Sequence, residues 1–398
     1  MPEWKSSWAY CSQDLNMMDM TVENETQRIF VRNNLQGRKL RLRFSNRYGS
    51  VPMIFERVVV ARAWEGKLVP ATDRTVLFDG KEKLVLAPGQ ERWSDELGFS
   101  VVQEEDLAIS TYVKEPMLVS CGSSSISRTL VDVKNSWAGD FCNVREFSVR
   151  PQEEYLSYVR GSAPENQPVF FYGLSGVDVL TDVSAATIAA FGDSITHQSH
   201  WCGHLAQRLY HHFTGEVSVI NCGIGGNRIL HDAAYPETAS YGEAGIRRFK
   251  RDVFEHRAVD LVLVLEGVND LFHPFDCAPR SEEVTAEQMI DGLIRFAEIA
   301  HNNGAKIIGC TILPFRDERW KWSEKMEQKR LQVNQWILNN EIYDGALDFA
   351  SMVQDPDDPT KLKDEFHCGD KLHPSEAGGR QIAEQIDLDW LMHMALCK

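Results

Sequence analysis

Phe191-Gly192-Asp193-Ser194-Ile195-Thr196 is the stretch on which the fold turns. Behind it, Thr187-Ile188-Ala189-Ala190 is apolar and prone to extended structure. Ahead of it, His200-Trp201-Cys202-Gly203-His204-Leu205-Ala206-Gln207-Arg208-Leu209 reads as the start of a helix. A serine at a strand-to-helix switch offers its hydroxyl and its backbone N–H to one ligand, with a helix N-terminus behind it that favours developing negative charge. That geometry suits the nucleophile of an acyl transfer. Alone, a serine in such a turn is more often an N-cap, so a catalytic role for Ser194 requires partners elsewhere in the chain.

Downstream the same rhythm repeats. Continuous apolar runs at 187–191, 217–221, 261–265 and 306–313 fit parallel strands buried on both faces. Between and after them the spacing predicts helices over 200–213, 286–303, 323–340 and 375–394. In the second, Met289, Leu293, Phe296, Ala297 and Ala300 recur at helical spacing, and Asn303-Gly304 supplies a stop. Alternating strand and helix implies an α/β domain of three layers, α/β/α, around a parallel sheet. Upstream the period is two. Leu40, Leu42 and Phe44 alternate with Lys39, Arg41 and Arg43, as in a half-solvated antiparallel strand. Residues 58–61, 83–86, 107–113 and 147–149 are further strand candidates. Turn signals such as Asp79-Gly80 and Pro88-Gly89 separate them, a pattern that predicts a β-sandwich of jelly-roll type. An exposed loop is expected at 161–167, and the runs at 168–174 and 176–180 either stay with the β region or form a linking hairpin. The expected organisation is an N-terminal β-sandwich over 1–183 and an α/β domain over 184–398.

The chain has 398 residues and a formal net charge of -16, from 42 basic and 58 acidic residues. Such a surface disfavours nucleic acid and anionic membrane, both of which attract basic patches. It is compatible with a neutral substrate such as a sugar, and equally with ordinary solubility. The cysteines, Cys11, Cys121, Cys142, Cys202, Cys222, Cys277, Cys310, Cys368 and Cys397, are odd in number and contain no Cys-x-x-Cys pair. That argues against a disulfide framework and a cysteine zinc site. The N-terminus lacks the basic and apolar regions of a secretory signal, and no apolar run approaches a membrane span. The expectation is a cytoplasmic protein needing neither metal nor cofactor.

A serine hydrolase requires a nucleophile, a base, a group that orients the base, and donors for the oxyanion. Asn221-Cys222-Gly223-Ile224-Gly225-Gly226-Asn227-Arg228 follows the second strand. It is not a dinucleotide loop, because Arg228 stands where the third glycine belongs. Glu266-Gly267-Val268-Asn269-Asp270 follows the third strand, where the Asn269 amide could donate to an oxyanion and Asp270 could brace the loop. In Asp370-Lys371-Leu372-His373-Pro374, Asp and His three apart can meet on one turn and leave the other imidazole nitrogen for a serine. Each segment has a bland reading: a tight turn, an Asx turn, a helix-entry loop. Ligands bind at this edge of open α/β sheets. His197, His200 and His367 are near enough in sequence to line a pocket there.

Together the four segments resemble the SGNH, or GDSL-type, hydrolase family. Gly192-Asp193-Ser194-Ile195-Thr196 matches its first block, Gly226 its second, Gly267-Val268-Asn269-Asp270 its third and Asp370-Lys371-Leu372-His373 its last. The resemblance implies Ser194 as nucleophile, His373 as base and Asp370 as its orienting acid. It further implies an oxyanion hole from the Ser194 N–H, the Gly226 N–H and the Asn269 side chain. With an N-terminal β-domain and Thr311-Ile312-Leu313-Pro314-Phe315, the chain looks like two-domain bacterial esterases similar to xylan esterases. That branch implies removal of acetyl groups from carbohydrate, a small-molecule or oligosaccharide ester. Asp193, Arg228, His197 and Trp201, beside the motifs in sequence, are the candidate substrate contacts. The 197–201 loop is shorter than is usual in that branch. A lipase or thioesterase acting on longer acyl chains would use the same residues. A non-catalytic carbohydrate-binding protein would use the β-domain, where Trp64, Trp93 and Trp137 could stack on sugars or simply fill a core.

Overall fold

The computed structural model describes residues 2–154 and 167–397. It divides into two compact units, Met1–Ala185 with Tyr210–Ser218, and Ala186–Leu209 with Val219–Lys398. The expected loop at 161–167 lies outside the described residues except for Gln167.

The first unit is built of antiparallel strands. One sheet has Glu3–Ala9, Gly173–Thr181, Gly37–Ser45 and Glu91–Trp93 side by side, with Leu97–Val101 also on Gly37–Ser45. Another runs Val131–Asn135, Glu25–Val31, Asp106–Val113, Arg57–Trp64, Lys67–Leu68. The alternation in 39–44 becomes a strand whose Leu40, Leu42 and Phe44 are wholly buried. Gly173–Thr181 pairs with Glu3–Ala9 and Gly37–Ser45, and Val169–Phe171 with Cys121–Ser125, so both belong to the β unit and form no linking hairpin. Residues 147–149 are not a strand. Only the single bridge Ser136–Val149 forms there, because the preceding loop is drawn to Arg28, whose guanidinium donates to the carbonyls of Phe141 and Val144. Asn34 explains why 210–218 joins this unit: its Nδ2 donates to the Phe213 and Val217 carbonyls, and its Oδ1 accepts from Gly215. Trp93 lies under Arg41, whereas Trp64 and Trp137 are exposed.

In the second unit the sheet order is Val217–Gly223, Ala186–Gly192, Leu261–Leu265, Lys306–Cys310, Gly345–Leu347, and the registers from Ala186–Gly192 onward are parallel. In chain order this is 2-1-3-4-5. The crevice at the carboxyl ends beside the first strand is the switch point where open α/β sheets bind ligands. The helices are α1 Ser194–His197, α2 His200–His212, α3 Gly245–Phe254, α4 Val268–Phe272, α5 Ala286–Asn302, α6 Glu324–Asn339, α7 Phe349–Val353, α8 Glu376–Glu384 and α9 Leu388–Leu396. Helix starts follow their caps. Thr285 and Gln288 make a capping box on α5, Ser323 caps α6 and Ser375 caps α8. The helix expected over 375–394 is two helices, because Asp387 turns its carboxylate onto the Trp390 N–H and begins α9. All nine cysteines are free. Among the described residues no helix is long and apolar enough to cross a membrane.

Candidate active site

Ser194 opens α1 at the end of the first parallel strand. Asp193 is the N-cap, its Oδ1 accepting the Ile195 N–H at 2.9 Å. Capping by Asp193 relieves Ser194 of the role a lone serine usually has in such a turn. The half-buried Ser194 Oγ lies 2.8 Å from His373 Nε2, and His373 Nδ1 lies 2.6 Å from Asp370 Oδ2. With Nδ1–H donated to the carboxylate, Nε2 is the lone-pair nitrogen that faces the hydroxyl. Asp370 Oδ1 accepts the backbone N–H groups of Leu372 and His373 at 3.0 and 2.9 Å. Burial pushes the Asp370 carboxyl up, but the His373 hydrogen bond and charge and those two N–H groups outweigh it and hold the carboxyl down at about 2.

The glycine loop and α4 stand on the other side. Gly226 has φ +76°, and a Cβ there would lie 2.2 Å from Tyr241 Cδ1, so only glycine fits. Asn269 Nδ2 donates to the Asn227 carbonyl at 2.8 Å, which fixes the amide and leaves it a second hydrogen. The backbone N–H groups of Ser194 and Gly226 have no hydrogen-bond partner among the described residues. Asp270 braces the loop by accepting the Ile229 N–H at 2.8 Å, and burial pushes its carboxyl up to about 6.

Arg248, in α3, ties these parts together. It is wholly buried. Its Nη2 donates to the Gly192 carbonyl, Nη1 to the Cys222 carbonyl and Nε to Asn227 Oδ1, at 2.9, 2.8 and 2.7 Å. The guanidinium rests on the Phe191 ring at 4.1 Å and pairs with Asp252 at 3.1 Å. One cation thus pins the strand end before Ser194, the strand end before the glycine loop, and the loop itself.

The four side chains expected to touch substrate turn inward. Trp201 is wholly buried, forming one helical stripe with Leu205 and Leu209 and meeting Phe349 at 5.1 Å. Arg228 is buried in an ion pair with Glu282 at 2.7 Å and donates to the Asp232 carbonyl. His197 is buried, which pushes its imidazole down to about 4, and Asp193 is spent on the cap. A substrate contact needs accessible surface, which these positions lack. His200 is buried beside Glu376 at 3.4 Å, and His367 Nδ1 accepts the Gly369 N–H, a local turn contact.

Two residues escaped the sequence reading. Arg248 lies in α3, a helix outside the four that the sequence spacing predicts. Its signal is positional: Gly245, Arg248, Phe249 and Val253 share the buried stripe of α3, and an arginine there must have partners. Trp320 lies in the loop after the fourth strand and donates its Nε1–H to the Asp370 carbonyl at 2.7 Å. Nothing local in 314–322 announces that contact.

Residues 190–381 match the family model described as GDSL-like lipase/acylhydrolase. No curated protein matches the chain. Solved structures similar to it include a variant of Axe2, an acetyl xylan esterase from Geobacillus stearothermophilus, at 20% identity and TM-score 0.39, covering 50% of this chain and 92% of that one. A GDSL-like lipase from Bacteroides thetaiotaomicron is similar at 19% identity and TM-score 0.38, covering 53% and 89%. A lipolytic protein of the G-D-S-L family from Desulfitobacterium hafniense is similar at 19% and 0.36, covering 50% and 96%.

Proposed function

Residues 190–381 belong to the GDSL-like lipase/acylhydrolase family, which makes the protein a carboxylic ester hydrolase, and from that premise we propose that it removes acetyl groups from carbohydrate through Ser194, His373 and Asp370. The observation that carries the mechanism is the pair of short contacts through one imidazole, 2.8 Å to Ser194 Oγ and 2.6 Å to Asp370 Oδ2. The acetyl-carbohydrate part rests on the resemblance of the N-terminal β-domain together with the 221–230, 265–270 and 311–315 segments to two-domain esterases similar to xylan esterases.

His373 Nε2 takes the Ser194 proton as Oγ attacks the ester carbonyl. The tetrahedral oxyanion is received by the N–H groups of Ser194 and Gly226 and by the second Asn269 amide hydrogen. The C–O bond to the alcohol breaks, and His373 returns its proton to the departing oxygen. Water then gives a proton to Nε2 and attacks the acyl-enzyme, and its collapse frees acetate and restores Ser194. Asp370 stays ionised and stabilises the imidazolium throughout.

Incubation with acetylated xylo- and manno-oligosaccharides, followed by mass spectrometry, is expected to show stepwise loss of acetyl groups that Ser194→Ala abolishes. A series of p-nitrophenyl esters separates this from a lipase: a rate maximum at long acyl chains would reject the acetyl reading.

A further inference from the structure

The alcohol half of the ester is the part of the substrate the triad leaves open. This inference rests on the esterase reading above. His373 hands its proton to the departing oxygen, so the leaving alcohol must lie on the His373 side of Ser194. Beside that imidazole stands Trp320. Its ring centre is 6.1 Å from the imidazole, with the planes at 84°. Behind it lies Phe272 at 5.3 Å, a residue buried in α4. The indole is half-buried, unlike Trp8 and Trp201, which are closed off in the two cores. Its one polar atom is already spent on the Asp370 carbonyl, so the uncovered surface it offers is apolar.

The turn that bears it is fastened before any substrate arrives. Asp317 Oδ1 accepts the Arg319 N–H at 2.9 Å, Lys371 Nζ reaches Asp317 at 3.5 Å, and the Arg316 N–H donates to the Thr360 carbonyl at 3.0 Å. Two of the turn's contacts therefore run to Asp370 and Lys371, inside the loop that holds the base. A fixed flat apolar surface at that distance discriminates by shape. An open-chain alcohol gains little from it, whereas a six-membered ring can lay a face against it without further ordering cost.

We propose that Trp320 is the specificity-determining residue for the leaving group, a platform on which a ring-shaped alcohol stacks while His373 protonates its oxygen. The enzyme then prefers acetyl esters of cyclic alcohols. Sugar and aryl alcohols share the required ring face.

The test compares an acetylated methyl xylopyranoside, phenyl acetate and the open-chain 2-methoxyethyl acetate. Trp320→Leu fills the space without a flat face, and Trp320→Phe keeps a face but loses the Nε1–H. Trp320→Leu is expected to lower kcat/KM on a ring ester about tenfold, mainly through KM, with the open-chain ester changed by about twofold or less. Trp320→Phe is expected to recover most of the loss. Dependence on the pyranoside assigns a sugar and dependence on phenyl acetate alone assigns an aryl alcohol; either supports the platform. An equal loss on all three esters would make Trp320 only a brace for the Asp370 loop and overturn the proposal, as would no loss on any. The esterase reading fails separately, without any Trp320 variant, if the wild-type protein hydrolyses none of the esters or if Ser194→Ala hydrolyses them equally well.

Discussion

Asp370 and His373 are where a change of one atom has the sharpest expected consequence. Asp370→Asn replaces the carboxylate oxygen 2.6 Å from Nδ1 with a group that can donate, and so favours the tautomer whose Nε2 bears the hydrogen facing Ser194. A loss of about 10⁴ in kcat is expected, with folding retained because Asn Oδ1 can still accept the Leu372 and His373 N–H groups. A kcat within tenfold of wild type would mean that the imidazole is oriented by something else. Asn269→Ala removes the amide proposed to hold the oxyanion and is expected to cost about 3 kcal/mol in the transition state, lowering kcat far more than it raises KM. A change confined to KM would place Asn269 in substrate binding instead. Gly226→Ala puts a methyl into the Tyr241 ring at φ +76° and should lower kcat by displacing the loop N–H. The companion Tyr241→Ala, which opens that space, should restore part of the rate if the clash is the cause.

At the scale of helices and strands the candidate site is held by its neighbours, above all by Arg248. A lysine there cannot reach the Gly192 carbonyl, the Cys222 carbonyl and Asn227 at once. Arg248→Lys is therefore expected to lower kcat at nearly constant KM, while Arg248→Met, which strands those acceptors and Asp252, should cost about 3–5 kcal/mol in urea unfolding. Wild-type kcat and stability in both variants would contradict the positioning role. The sequence made the apolar strands and the Asp370–His373 turn legible because each is written in adjacent residues: period, cap, and three-residue spacing. It did not make legible which polar residues face inward. Trp201 and Arg228 sit beside the motifs in sequence, yet the stripe of α2 buries one and Glu282 the other. Trp320 touches Asp370 across 50 positions, a relation that no local pattern encodes. The break between α8 and α9 was readable in principle from Asp387, but the apolar period continues across it.

For the molecule as a whole, buried acid at the sheet edge sets a pH dependence of stability. Both carboxylate oxygens of Glu266 are buried without a hydrogen-bond partner among the described residues, and Arg248 Nη2 comes no nearer than 3.8 Å. Burial, then the charge of Asp193, pushes the Glu266 carboxyl well above its ordinary value, against the pull of Arg248. A raised folded-state pKa means that the stability tied to this proton is full below the unfolded value and is lost as pH rises through the folded one. Glu266→Gln should therefore gain in Tm relative to wild type as pH is raised from about 5 to about 9. A gain that grows as pH falls would show that the carboxylate is charged and paired. The kinetic expectations all presuppose that Ser194 bears the attacking oxygen. The most direct measurement of that is peptide-resolved mass spectrometry after treatment with a serine-directed phosphonate. One adduct, on Ser194, absent from Ser194→Ala and strongly slowed in His373→Ala, is the expected result. No adduct, or an adduct on another residue, would contradict it.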